Sequence, residues 1–212
     1  TATGEIVVIS KGKYGWSSMN FRTVWLAMNL PKLQGSGIIY VLTKRDAIKV
    51  AEWLTQNGIE AKPYFSNVKH DDYPDSNTYR LELESQLYNN GIKALVATTA
   101  LSMGYDKPDL AFVIHYQAAA NVVSYYQQIG RAGRAIKEAF CILLSGEEDD
   151  KIHEFFRRAS FPPKERVEKI LSTLESHHDG LSIVQLPEHM NYRRGQIYHT
   201  LKYLSVENPS PV

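Results

Sequence analysis

One cysteine in 212 residues, Cys141, excludes any disulfide within the chain. It lies in the apolar run FCILL and reads as a buried structural thiol rather than a reactive one. Long apolar runs are missing: none approaches the roughly 20 residues of a membrane span, and no signal-type segment opens the sequence. A reducing setting is expected, cytoplasmic and, in a bacterium, nucleoid-associated. Net charge is nearly absent, 24 Lys plus Arg against 23 Asp plus Glu. No global attraction to nucleic acid follows, so any such binding must come from local patches. The sequence has no Gly-x-x-x-x-Gly-Lys-Ser/Thr phosphate loop, and its GEEDDK stretch is not a strand-end acidic motif. It opens on TATGEIVVIS, almost directly in a strand-like run, as an excised piece would. The rest is ordinary for a globular protein: 43% hydrophobic and 22% charged. The length suffices for one large domain, or a domain of about 150 residues with a small appendix.

Short apolar runs at 6–9, 37–42, 61–65, 93–98, 111–116 and 140–144 read as strands, several apolar at consecutive positions. A parallel sheet covered on both faces demands such runs. Between them, 44–57 carries Ala47, Val50, Ala51 and Leu54 at helical spacing, with Gly58 as its C′ residue. Residues 79–88 and 122–130 are further helix candidates. The alternation predicts an α/β doubly wound domain, with sites beyond the carboxyl ends of its strands. The polar connection 66–78 (SNVKHDDYPDSNT) reads as a mobile loop in preference to a functional one.

After Ser145 the character changes. GEEDDK suits a helix N-terminus, and FPPKE marks a boundary, giving domains 1–160 and 161–212. In the tail, Val167, Ile170, Leu171 and Leu174 share a helical face, and 177–180 turns the chain. A helical piece at 183–190 is interrupted by Pro187, and another runs from 193 to 204. This order resembles a helix-turn-helix core with Arg193 and Arg194 opening the recognition helix. A plain three-helix packing module is the equal alternative, since six basic and six acidic tail residues cancel.

Two stretches carry the chemistry. In YYQQIGRAGRA, residues 125–135, Arg131 and Arg134 stand three apart, each after a glycine, with no other charge between His115 and Lys137. Residues three apart share one side of a helix, and two guanidiniums stripped of bulky neighbours suit a forked anion such as phosphate. Solvated arginines at an exposed helix end are the competing reading. Upstream, ATTALSMGYDKPDLAFVIHY leaves a strand at Ala97. There Thr98 and Thr99 offer hydroxyls and N–H groups to an anion, Gly104 permits a tight turn, and Asp106 opens a polar corner.

SGIIYVLTKRDAIKVAEWL, LYNNGIKALVATTALSMGYDKPDLAFVIHY and SYYQQIGRAGR resemble the fourth, fifth and sixth motifs of superfamily 2 helicases, and in detail RecQ-type DNA helicases, over about residues 37–144. The resemblance implies a RecA-like, mainly parallel doubly wound sheet that is the second of two motor domains, followed by a small helical, winged-helix-like module. The first domain would carry the phosphate loop and the acidic motif, and so bind most of the ATP and Mg2+; this piece alone would be inactive. Gln127, Gly130, Arg131, Gly133 and Arg134 fit the family's Gln-x-x-Gly-Arg-x-Gly-Arg motif. By that likeness Arg134 is the arginine finger and Arg131 contacts phosphate or signals its presence. Asp106, with Gly104 beside it, would bind nucleotide or couple to the arginine helix. Thr98 would hold a DNA backbone phosphate, and Thr43, Lys44 and Arg45 would border the DNA track, although Lys44 and Arg45 also read as helix-start surface charge. Partners would be single-stranded DNA, the duplex junction and the first motor domain, in 3′→5′ unwinding of the kind used in repair and recombination.

The departures are Ser102 in place of a usual glycine, Tyr64–Phe65 in place of a Tyr-His pair, and no four-cysteine zinc module. His177, His178 and Asp179 lack zinc-ligand spacing, so no zinc and no other metal site is expected. Two rivals stay open: a DNA-binding regulator or scaffold with a helix-turn-helix tail, and an RNA helicase.

Overall fold

The computed structural model describes residues 2–8, 18–101, 105–146, 149–150, 153–154, 162–177 and 179–206. Gly104 and Ser102 lie outside them. The chain divides into two compact units, Thr1–Asp150 and Lys151–Val212.

The first unit is a six-stranded sheet, β1 (Ala2–Val8), β2 (Gly37–Tyr40), β3 (Ala61–Tyr64), β4 (Ala94–Ala97), β5 (Phe112–His115) and β6 (Ala139–Ser145). Its spatial order is β1-β6-β5-β2-β4-β3 and every pairing is parallel. Each of the six apolar runs overlaps a strand, and Ile9 lies outside the described residues. Alternate residues feed two cores, as a pleated strand requires. On one face Ile39, Val96 and Ile114 pack with Leu26 of α1 (Ser18–Asn29) and with Ala47, Val50 and Leu54 of α2 (Lys44–Gln56). On the other, Ile38, Leu95 and Val113 pack with Tyr79, Leu83 and Leu87 of α3 (Ser76–Tyr88) and with Ala132. Each fully buried Leu or Ile contributes about 1.5–3 kcal/mol. The sheet is thus doubly wound.

Local chemistry sets the boundaries. Thr43 caps α2, and Gly58 follows its C-cap at φ +79. Gly37 is needed for space, because a Cβ there would lie 2.2 Å from the Phe112 carbonyl oxygen. α3 starts three residues before the expected 79, because the Asp75 carboxylate accepts from the N–H groups of Asn77 (2.7 Å) and Thr78 (2.9 Å). These bonds hold the Asp75 carboxyl below its usual range. Most residues of the 66–78 connection are exposed, but Val68 is buried, and His70 and Tyr73 form an aromatic cluster with Tyr79, ring centroids 4.9–5.7 Å apart.

α1 has no counterpart among the expected helices. Its buried side includes Arg22, whose Nη2 lies 2.9 Å from Asp149 Oδ1, with the two side chains 0% and 4% exposed. Asp149 Oδ2 also accepts from the N–H groups of Gly146 (3.2 Å) and Ala118 (3.4 Å). The acidic stretch after β6 therefore holds a buried ion pair.

In the second unit, α5 (Lys164–Glu175), a 3-10 turn at Leu186–Glu188 and α6 (Arg194–Leu204) surround Ile170, Leu186, Met190 and Ile197. Of the helical piece expected at 183–190 only that turn is helical. Pro187 sits in its first turn, where a missing N–H leaves nothing unpaired. Among the described residues this unit has no strand.

Candidate nucleotide and nucleic-acid site

Strand register gathers the candidate residues. Tyr40 at the end of β2 pairs with Ala97 at the end of β4 and with His115 at the end of β5. The loops that follow therefore leave the sheet side by side, at the edge where parallel sheets bind ligands. Thr43 Oγ1 accepts from the Asp46 N–H (3.0 Å) and donates to Asp46 Oδ2 (2.7 Å). Its hydroxyl is committed to capping α2. Lys44 and Arg45 are exposed beside it, with Lys44 Nζ 5.6 Å from the centre of the Phe65 ring. Thr98 follows β4 and accepts from the Ala100 N–H (3.4 Å), opening a 3-10 turn at Thr99–Leu101. Gln117 ties two of these loops together: it accepts from the Leu42 N–H (2.9 Å) and donates to Asp46 Oδ2 (3.2 Å). Gln117 offers no local signal in the sequence, whereas Asp46, three residues after Thr43, stands at the spacing of a capping box and was missed despite it.

The arginine motif closes the edge. α4 (Val122–Ile129) is capped by the Asn121 side chain and ends with Gly130 as its C-cap. Arg131 and Arg134 therefore lie in the turn beyond the helix, not on one helical face, and Gly133 bends that turn at φ +76. The two guanidiniums have different fates. Arg131 is half-buried; its Nη1 donates to the Tyr105 carbonyl (2.6 Å), and it lies beside the Tyr40 phenol. Burial pushes the Tyr40 pKa up to about 12, although Arg131 pulls the other way. Arg134 is 48% exposed, and its Nη1 lies 2.8 Å from Asp106 Oδ1, itself 59% exposed. The structure thus joins Asp106 to the arginine turn. Gln127 is exposed on the same helix.

The DKPD corner is fixed by Lys107, buried, donating to the Tyr88 carbonyl (3.0 Å) and to Asp109 (2.6 Å). In Tyr64–Phe65, where Phe65 stands in place of the histidine of the Tyr-His pair, Tyr64 is structural: its hydroxyl bonds Glu84 and accepts from Arg80 Nε (2.9 Å). Cys141 is buried, and burial raises its thiol pKa. α4 also shows solvent an apolar face of Val122, Val123 and Tyr126. A cavity of about 320 Å³, lined by Ala118, Val122, Tyr125 and Leu143 among others, adjoins this face.

Residues 24–136 match the family described as the helicase conserved C-terminal domain. The chain is 37% identical over 118 residues to the ATP-dependent DNA helicase RecQ of Synechocystis sp., a match covering 56% of this chain and 23% of that protein. It is 38% identical over 121 residues to a protein of Acanthamoeba polyphaga mimivirus provisionally assigned as an ATP-dependent RNA helicase, covering 57% and 21%. Its fold is similar to that of a DEAD box protein from Methanococcus jannaschii, with a TM-score of 0.54 and 28% identity over 73% of this chain and 39% of that one. The chain spans less than a quarter of the length of the two curated relatives. With the parallel RecA-like sheet and the Gln127–Arg134 motif in place, it belongs to the helicase conserved C-terminal domain family, as the C-terminal domain of a RecQ-like superfamily 2 helicase.

Proposed function

We propose that this chain is the second motor half of an ATP-dependent DNA helicase. It supplies an arginine finger to nucleotide held mainly, with Mg2+, by the first motor domain, and contributes part of the DNA track. The observation that carries this is the exposed Arg134 guanidinium, tethered to a single exposed carboxylate. An exposed ion pair of this kind is worth about 1 kcal/mol or less. A phosphate group, which arginine grips bidentately, would displace it at little cost. When bound, Mg2+·ATP supplies the anhydride to be hydrolysed. Arg134 would stabilise the charge that develops there, Arg131 would report phosphate to the sheet through Tyr40, and Asp106 would hold Arg134 in register until then. The apolar face of α4 beside this turn suits cover by the first motor domain. Thr98, Thr43, Lys44 and Arg45 at the neighbouring loops support a DNA track with 3′→5′ movement. The test is DNA-stimulated ATP turnover by the full-length protein with Arg134 intact or replaced. Loss supports the reading, and normal turnover refutes it.

The name of the RecQ relative favours DNA; the mimivirus relative keeps RNA as the second reading. In the second unit, exposed Arg194, Tyr198 and Lys202 follow one another at four-residue intervals along α6, next to Arg193. This stripe favours nucleic-acid binding over packing alone. Replacing Arg193 and Arg194 together by alanine is expected to weaken duplex binding and to flatten its log–log salt slope by up to about 2. An unchanged affinity and slope would make the tail a packing module.

A further inference from the structure

Behind the arginine turn lies a buried polar residue with no part in the scheme above. His115 ends β5 and is 1% exposed. Its Nε2 lies 2.7 Å from Gln128 Oε1 on the last turn of α4. Its ring stacks on Tyr40 of β2, centroids 5.4 Å apart, and meets Tyr125 of α4 at 4.8 Å. Tyr40 in turn lies beside Arg131. Two strand ends and a helix thus meet at one imidazole, with the arginine turn one side chain beyond, through Tyr40. A cavity of about 20 Å³ adjoins it, lined by Tyr40, Thr99, Gln117, Ser124 and Gln128 together with apolar neighbours such as Leu42 and Ala119, and runs from the turn after β4 to α4.

We propose that His115 is a positioning residue for the arginine turn: donating from Nε2 to Gln128 and packed between Tyr40 and Tyr125, it fixes the roll of α4 and so the place from which Arg131 and Arg134 project. This rests on the reading that those arginines serve ATP turnover. The geometry requires an uncharged ring. Nδ1 is buried without a hydrogen-bond acceptor among the described residues, so a second proton would strand an N–H. Burial lowers the His115 pKa, while the bond to Gln128 works the other way. The titratable and charged groups set around it are Tyr40 from β2 with Arg131 beyond, and Tyr125 from α4 with Cys141 of β6 beyond. None is a carboxylate that would favour the imidazolium.

The test compares His115→Gln, which keeps an N–H donor near the position of Nε2, with His115→Leu, which fills the space without one. In the full-length protein His115→Leu is expected to lower kcat by about 10²-fold, the effect of a small misplacement of a catalytic group, with KM for ATP little changed. In the 212-residue chain it should speed amide exchange across residues 127–135. His115→Gln should restore most of both. Gln128→Glu, of the same size, gives Nε2 an anionic acceptor and raises the His115 pKa. It should add a titration to kcat between about pH 6 and 8 that the wild type lacks, and it decides the matter if His115→Leu does not fold. A pure packing role predicts leucine to be as good as glutamine, unchanged exchange at 127–135, or no new titration in Gln128→Glu; each result overturns the proposal. Arg134→Ala assayed in parallel separates the two readings. Normal turnover there removes the arginine finger, and amide exchange in the chain itself still decides whether His115 positions the turn.

Discussion

Arg134→Ala in the full-length protein is expected to cut DNA-stimulated kcat by roughly 10³-fold or more, the lower range for an arginine finger. KM for ATP should change far less, because a finger acts on charge that develops in the transition state rather than in the bound nucleotide. The exposed tether to Asp106 holds the side chain in place without sequestering it. Arg134→Lys should recover little, since one ammonium cannot reproduce a planar fork. A merely solvated arginine would give near-normal turnover and a stability change within about 0.5 kcal/mol. Circular dichroism must first show the variant folded. Arg131 makes a poorer test of chemistry, because it also braces the Tyr105 carbonyl and lies against Tyr40, so its removal confounds folding with function.

Arg22→Ala is expected to destabilise the first unit by about 3–5 kcal/mol, the usual result of removing one partner of a buried ion pair. The Asp149 carboxylate would remain 4% exposed without its guanidinium, keeping, among the described residues, the N–H groups of Gly146 and Ala118. That loss is a large share of the 5–15 kcal/mol typical of a domain. Replacing both residues by apolar ones of similar volume should recover most of it, since the pair itself is costly to bury. All three tryptophans lie in the first unit, so urea unfolding followed by fluorescence reports on that unit. A change no larger than that of a surface substitution would mean the pair is not buried as described.

The sheet was legible because a parallel strand buried on both faces must be apolar at successive positions, as 37–40, 94–97 and 112–115 are. α2 was legible because its apolar stripe and its cap are local. α1 was not: the face it buries includes Arg22, and that burial depends on a carboxylate far along the chain. The start of α3 was missed because Asp75 acts as its cap within a stretch that is polar throughout. At the site, the motif names Arg131 and Arg134, but spacing alone put them on one helical face. The helix ends at Ile129, and the turn at Gly133 sends one guanidinium inward and the other outward. His115, Gln117 and Gln128 looked like ordinary strand and helix residues, because their partners are set by topology rather than by sequence neighbours.

On the proposed function, this chain completes a nucleotide site but does not form one. The most direct test of that reading is steady-state ATP hydrolysis by the pure 212-residue chain with Mg2+ and single-stranded DNA. The predicted result is no turnover above background, because the phosphate loop that cradles ATP in this class of motor is not in the sequence. Robust Mg2+-dependent turnover by the chain alone would contradict it.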